Sequence, residues 1–179
     1  MKNLINDFLD QTYSIDEIHN HLSDLLESED LDVAVYGHDE VPEGHLVVGG
    51  YYDPDIDEIE VVIYYNPDDE EIEFNNQIFN DFTHQLQQTI EHEVIHRGQY
   101  LTRGHHRIVV GTGDKKRDYL YDPDEVDAFS NDIALDIRYN NGDLQTLTGS
   151  PVLTDYVNIF GIDHDIVKKI IRKAYKRMT

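Results

Sequence analysis

Two histidines four residues apart bracket a glutamate at His92-Glu93-Val94-Ile95-His96. On an α-helix, residues i and i+4 stand one turn apart on the same face, so both imidazoles can reach one ion. Glu93 then lies one step round the helix, beside the ion rather than on it. A base in that position can take a proton from a water that the ion has acidified. The spacing therefore points to metal-assisted hydrolysis. With 10 His and 13 Glu in 179 residues, a shuffled chain contains H-E-x-x-H with probability roughly 0.04, so chance is a weak rival.

Two histidines do not complete a catalytic zinc site, which ordinarily takes three protein ligands and a water. The chain has no Cys. That excludes disulfides and thiolate sites, and leaves a transition metal to His, Asp or Glu. Downstream candidates for the third ligand are His105, His106, Asp122, Asp124, Glu125 and Asp127. The longer form H-E-x-x-H-x-x-G-x-x-H is absent, because Gln99 and Thr102 stand at its Gly and third His positions.

The ligands need a helix behind them, and the sequence supplies one. Ile78, Phe82, Leu86, Ile90 and Val94 recur every four residues, with Phe79 and Ile95 beside them. That stripe can pack on a core while the opposite side, with His92, faces a cleft. Asn75 and Asn76 can cap the start of this helix, and Gly98 suits its end. A second helix opens at Asp122 or Pro123, with Glu125 in its first turn and Val126, Phe129, Ile133 and Ile137 toward the core. Asn140-Asn141-Gly142-Asp143 ends it. Between the two helices, residues 103–117 carry three glycines and several bases and read as a flexible loop beside the cleft.

Upstream, residues 3–10 put Leu4, Ile5, Phe8 and Leu9 on one helical face. Ser14 to Glu17 is a capping-box pattern that opens a second helix with Ile15, Ile18, Leu22, Leu25 and Leu26 inward. The period then changes. Residues 32–36, 45–48 and 58–65 alternate and are β-branched, as strands are, and they predict a small antiparallel sheet. Asp53, Asp55 and Asp57 imitate the opening of a calcium loop, but Glu58 and Tyr64 stand where Gly and Glu belong, so the stretch reads as an acidic hairpin turn. Residues 152–160 predict a short helix. Residues 163–178 predict a last one, with Ile166, Val167, Ile170, Ile171, Ala174 and Met178 on one face and six bases on the other.

The expected class is α+β, in one domain over residues 1–179: N-terminal helices to 30, the sheet over 31–73, the motif helix, loop and Glu helix over 74–139, and C-terminal helices over 140–179. The sheet is expected to pack on the motif helix. No apolar run approaches a membrane span, and Asp7 and Asp10 argue against a secretory signal, so a cytoplasmic protein is expected. The net charge of −23 is uneven. Residues 1–80 hold 22 acids and one base, and residues 81–179 hold 15 acids and 13 bases. The acidic front half repels nucleic acid and could attract a basic protein partner.

The sequence resembles the zincin metallopeptidases, and within them the gluzincin type, in His92-Glu93-x-x-His96 followed by Glu125-Val126-Asp127-Ala128. That fragment is similar to the E-x-E/D-A pattern of small branches that include the phage-repressor-cleaving ImmA/IrrE group. The run Tyr119 to Ser130 is similar to small H-E-x-x-H proteins of tailed phages. The resemblance covers about residues 58–139. It implies a zinc ion held by His92, His96 and Glu125, Glu93 as general base, a protein or peptide substrate, and an infected-cell cytoplasm or virion as setting. It also implies an edge strand that pairs with extended substrate, for which residues 58–65 are the natural choice. Relatives often carry Asp or Asn four residues after the ligand Glu, where this chain has Phe129; Asp127 or Asn131 would have to take over that orienting role. Candidate oxyanion donors are Tyr100, His105, His106, Tyr119 and Tyr121. A rival expectation is a non-catalytic acidic protein that imitates DNA, or a zincin whose metal is structural or vestigial.

Overall fold

A computed structural model describes residues 6–27, 30–103, 113–141 and 149–179. Leu4, Ile5, His105, His106 and most of the expected 103–117 loop lie outside these described residues. The class is α+β, as the sequence predicts. Contacts divide the chain into two compact units, residues 1–94 and 95–179, with the boundary inside one unbroken helix.

The first unit begins with a 3-10 turn, Asn6–Phe8, then strand β1 (Thr12–Ser14) and helix α1 (Ile15–Leu26). The capping box is present at both ends: Ser14 Oγ accepts from Glu17 N at 3.3 Å, and Ser14 N donates to Glu17 Oε2 at 2.8 Å. Strands β2 (Leu31–Gly37), β3 (Leu46–Asp53) and β4 (Glu58–Tyr65) form a sheet in the order β2-β4-β3. β3 and β4 are an antiparallel hairpin, whereas β2 runs parallel to β4. The β3–β4 turn is the acidic one: Asp55 N donates to Asp53 Oδ1 at 2.8 Å, and Asp57 takes a φ of 59°. A short strand β5 (Glu71–Glu73) pairs antiparallel with β1.

Helix α2 (Asn76–Arg103) follows, and Asn75 Oδ1 caps it by accepting from the amides of Gln77 and Ile78. Ile78, Phe82, Leu86 and Ile90 are buried with Leu22, Leu26, Ile59, Ile63 and Phe74 in one apolar cluster. Val94, expected on the same stripe, is half exposed instead. Each step of four overshoots a helical turn by about 40°, so by Val94 the stripe has walked about 160° from Ile78.

In the second unit α2 continues through Gly98 and ends at Arg103, beyond the expected stop. Helix α3 (Lys115–Tyr121) is capped by Asp114, whose side chain accepts from Arg117 N. Lys115, Lys116 and Arg117, expected in the loop, are thus its first turn. Helix α4 (Pro123–Tyr139) starts where predicted: Asp122 is the cap and Pro123 the first helical residue, where a missing N–H costs nothing. Helices α5 (Pro151–Phe160) and α6 (Asp165–Met178) complete the unit. Val126, Ile133 and Ile137 of α4 pack with Leu153, Tyr156, Val167, Ile170 and Ala174 as a second apolar cluster. Among the described residues, no helix is long and apolar enough to cross a membrane.

Candidate metal centre

His92 and His96 stand on α2, and Glu125 stands on the first turn of α4. Each offers one ligand atom, and the three atoms lie within 4.8 Å of one another. His92 and Glu125 are buried and His96 is half-buried. This His-His-Glu group could together hold a metal ion.

The hydrogen bonds of Gln99 decide how His96 faces. Gln99 Nε2 donates to the carbonyl of Asp124 at 3.2 Å, which leaves Oε1 to accept from His96 Nδ1 at 3.0 Å. Nδ1 is thereby the donor of this bond, and in the neutral ring Nε2 is then the nitrogen with the lone pair. That nitrogen lies 3.4 Å from Glu125 Oε2. An imidazole lone pair and a carboxylate oxygen facing each other repel unless a cation or a proton stands with them. Two imidazole nitrogens, a carboxylate oxygen and an outer group orienting one ligand make a donor set that suits a divalent transition-metal ion.

His105 and His106 lie outside the described residues, and the three other third-ligand candidates are engaged elsewhere. Asp122 Oδ1 accepts from Asp124 N at 2.8 Å as the cap of α4. The Asp124 carboxylate forms an ion pair with Arg103. Asp127 pairs with Lys173 at 2.7 Å and with Arg177 at 3.1 Å, both on α6. Burial raises the Asp127 pKa, but the two cations outweigh that and hold it below the ordinary aspartate value. Asp127 therefore ties α4 to α6 and is not available to orient a ligand. Asn131 is buried on α4.

Glu93 is buried, and its helix is approached closely by β3. A Cβ on Gly50 would lie 2.7 Å from Thr89 Cγ2, 2.8 Å from the Glu60 carbonyl oxygen and 3.6 Å from Glu93 Cγ. Only glycine allows strand and helix this near, so Gly50 helps set where Glu93 stands. Gln85 Oε1 accepts from Val48 N at 3.1 Å, and Thr89 Oγ1 donates to Val48 O at 3.5 Å. These bonds fasten the outer side of β3 to α2. The strand over residues 58–65 cannot be the open edge expected for substrate: it is β4, the centre of the sheet, with partners on both sides. β3 is the edge strand that runs beside the motif helix.

Of the expected oxyanion donors, Tyr119 packs edge-on against Phe129 and Tyr121 packs against Phe160 and His164. His105 and His106 fall outside the described residues. Phe129, at the position where the zincin resemblance leads one to expect a polar group, contacts Tyr119 and Tyr156 instead. The Tyr156 hydroxyl is buried and, among the described residues, has no hydrogen-bond partner. Burial first, and the Glu125 charge second, push its pKa well above the ordinary phenol value. Among the described residues, Gln99 beside His96 and Tyr156, which feels the Glu125 charge, are two that the sequence reading did not assign. Gln99 was visible as the residue three beyond His96 on the same helical face. Tyr156 carried no signal, since its place depends on how α5 packs on α4.

Comparison with protein-family models, with curated proteins and with solved structures gives no match. The functional reading therefore stands on the residues and their geometry.

Proposed function

We propose that this protein is a zinc-dependent metallopeptidase in which His92, His96 and Glu125 hold the ion and Glu93 is the general base. The observation that carries this reading is the group of two histidines and a glutamate with ligand atoms within 4.8 Å, one residue along the helix from a buried carboxylate. When bound, zinc would supply Lewis acidity, acidifying water and polarising a carbonyl. The chain's own residues do the rest. Gln99 keeps His96 Nε2 turned toward Glu125. The Glu93 carboxylate accepts the proton released from water and returns it to the leaving amine, so one group serves as base and then as acid. Gln85 and Thr89 occupy the outer groups of β3 at Leu46 and Val48, so the edge along which an extended peptide can lie is the part of β3 beyond Val48. A cytoplasmic setting, in an infected cell if the chain is phage-encoded, accords with this activity.

The test compares the untagged protein with Glu93→Gln. Both are loaded with zinc, metal content is measured, and cleavage of a mixed peptide library is followed by mass spectrometry. The expected result is equal zinc and a loss of peptide hydrolysis of about 100-fold or more in the variant. Equal hydrolysis by both proteins, or no zinc retained by either, would overturn the reading.

One observation favours a second reading. Residues 1–94 hold 25 acids and one base. A non-catalytic acidic protein that occupies a basic nucleic-acid-binding surface would need that charge and would not need Glu93. It predicts partner binding unchanged in Glu93→Gln and no hydrolysis by either form.

A further inference from the structure

The sheet of the first unit has two faces. Leu31, Val33, Val35, Ile59, Val61 and Ile63 turn to the apolar cluster. The register sets the other face as three cross-strand rows. Ala34, Val62 and Gly49 form the middle row, a floor of small side chains. Tyr36, Tyr64 and Val47 form one end row, and Asp32, Glu60 and Tyr51 form the other.

The end rows stand open. Tyr36 is 55% exposed, Tyr51 52% and Val47 42%. The Tyr36 and Tyr64 rings lie 6.5 Å apart. The Tyr51 hydroxyl donates to Glu60, which with the neighbouring acidic charge raises the Tyr51 pKa to about 12. The bond also fixes the Glu60 carboxylate on this face. Residues 3–94 contain no Lys or Arg. Exposed sheets normally carry such bases, whose long side chains cover apolar surface and discourage association. Over residues 3–94 no Lys or Arg side chain is available to neutralise the carboxylates of the face or to lie across the exposed Tyr36 and Tyr51 rings; His38 packs edge-on against Tyr64 alone.

We infer that this outer sheet face is a docking surface for a polypeptide segment that carries lysine or arginine beside apolar side chains. The charge complementarity is one-sided: the face supplies carboxylates and aromatic rings, and the occupant must supply the cations. Guanidinium and ammonium groups are drawn to tyrosine faces as well as to carboxylates. Val62 in the middle row is buried, so the apolar surface open to an occupant is that of Val47 and the two exposed tyrosine rings. Nucleic acid and anionic membranes are repelled by a unit of this charge. The inference does not depend on the metal centre and holds for a peptidase or a binding protein alike.

The experiment uses the full chain and a fluorescein-labelled peptide that repeats Lys-Phe-Lys-Ser, with a twin in which Glu replaces Lys. Binding is read by fluorescence anisotropy. The lysine peptide should bind and the glutamate twin should not. Tyr36→Thr with Tyr51→Thr removes the rings, keeps strand-forming residues and changes no charge; it should weaken binding about tenfold. Asp32→Asn with Glu60→Gln should weaken it similarly. Asp24→Asn with Glu27→Gln makes the same charge change on exposed positions at the end of α1 and should move it less than about twofold. Thermal unfolding by circular dichroism confirms that each variant is folded. Equal losses in both charge pairs, no loss on removing the rings, or no binding of the lysine peptide would overturn the inference. So would self-association of the wild type that the ring substitutions abolish, because the occupant would then be a second copy.

Discussion

The two units treat acidic residues in opposite ways. Residues 1–94 hold 25 acids against one base, yet among their described residues the only buried charged or polar side chains are His92 and Glu93. Residues 95–179 hold 12 acids against 13 bases, and there Glu125, Asp132 and Asp136 are all buried, with Ser130 and Asn131 beside them on α4. The spacing of seven and then four puts the three carboxylates on one face of that helix. A surface acid is solvated and costs little, whereas a buried one requires a partner or a proton. The crowded unit therefore keeps its acids at the surface, with Glu93 the buried exception among its described residues. The balanced unit places fewer charges inside, where each one must have a local purpose. Total charge is a poor guide to where chemistry lies in this chain, and burial is a better one.

Four experiments break or sharpen that contrast. The largest effect belongs to the apolar interior of the first unit. Phe82→Ala removes a ring that packs on Phe8 and Phe74 and should cost about 3–5 kcal/mol in urea unfolding. A cost below about 1 kcal/mol would show that the cluster is loosely packed.

The second effect tests the buried acid at the start of α4. Zinc at about 100 times its dissociation constant should stabilise the wild type by about 2.7 kcal/mol and leave Glu125→Gln unmoved in the same thermal scan. Equal stabilisation of both proteins would remove Glu125 from the ligand set.

Gly50→Ala comes third. Its Cβ meets the backbone oxygen of Glu60 as well as Thr89, so strand and helix must separate, at about 1–3 kcal/mol. Peptide hydrolysis should fall further than stability predicts, because Glu93 moves with the helix. A variant of native stability and native activity would show that the close approach is incidental.

The smallest effect is Asp127. Its folded pKa is depressed, so the ion pairs with Lys173 and Arg177 contribute stability above the ordinary aspartate range and lose it as pH falls through the lower folded value. These groups are about one-third exposed, so solvent screening keeps the contribution to about 1 kcal/mol or less. The gap between wild type and Asp127→Asn should be present at pH 7 and close in acid. A gap that persisted at low pH would point to packing rather than charge.

Much of this arrangement is legible in the residues. Local signals carry the capping box at Ser14, the acidic turn after Asp53, the start of α4 at Asp122 and Pro123, and the one-turn spacing of His92 and His96. What is missing from a linear reading is set by partners distant in sequence. β3 continues through Gly49 and Gly50 because α2 approaches there, although a pair of glycines alone reads as a break. α2 runs past Gly98, which costs about 1 kcal/mol relative to Ala; Gln99 and Arg103 just beyond it bond to Asp124. β2 lies parallel to β4, a pairing that no hairpin turn could announce. The short β1–β5 ladder joins segments nearly sixty residues apart.

Asp122 closes α3 with its main-chain N–H, which donates to the Tyr119 carbonyl, and caps α4 with its side chain, so a single residue sets the angle at which the second helix departs from the first. Glu125 stands three residues further on and inherits that angle. Position 122 is thus a pivot through which the place of the Glu125 carboxylate can be adjusted while all three residues of the His-His-Glu group are kept.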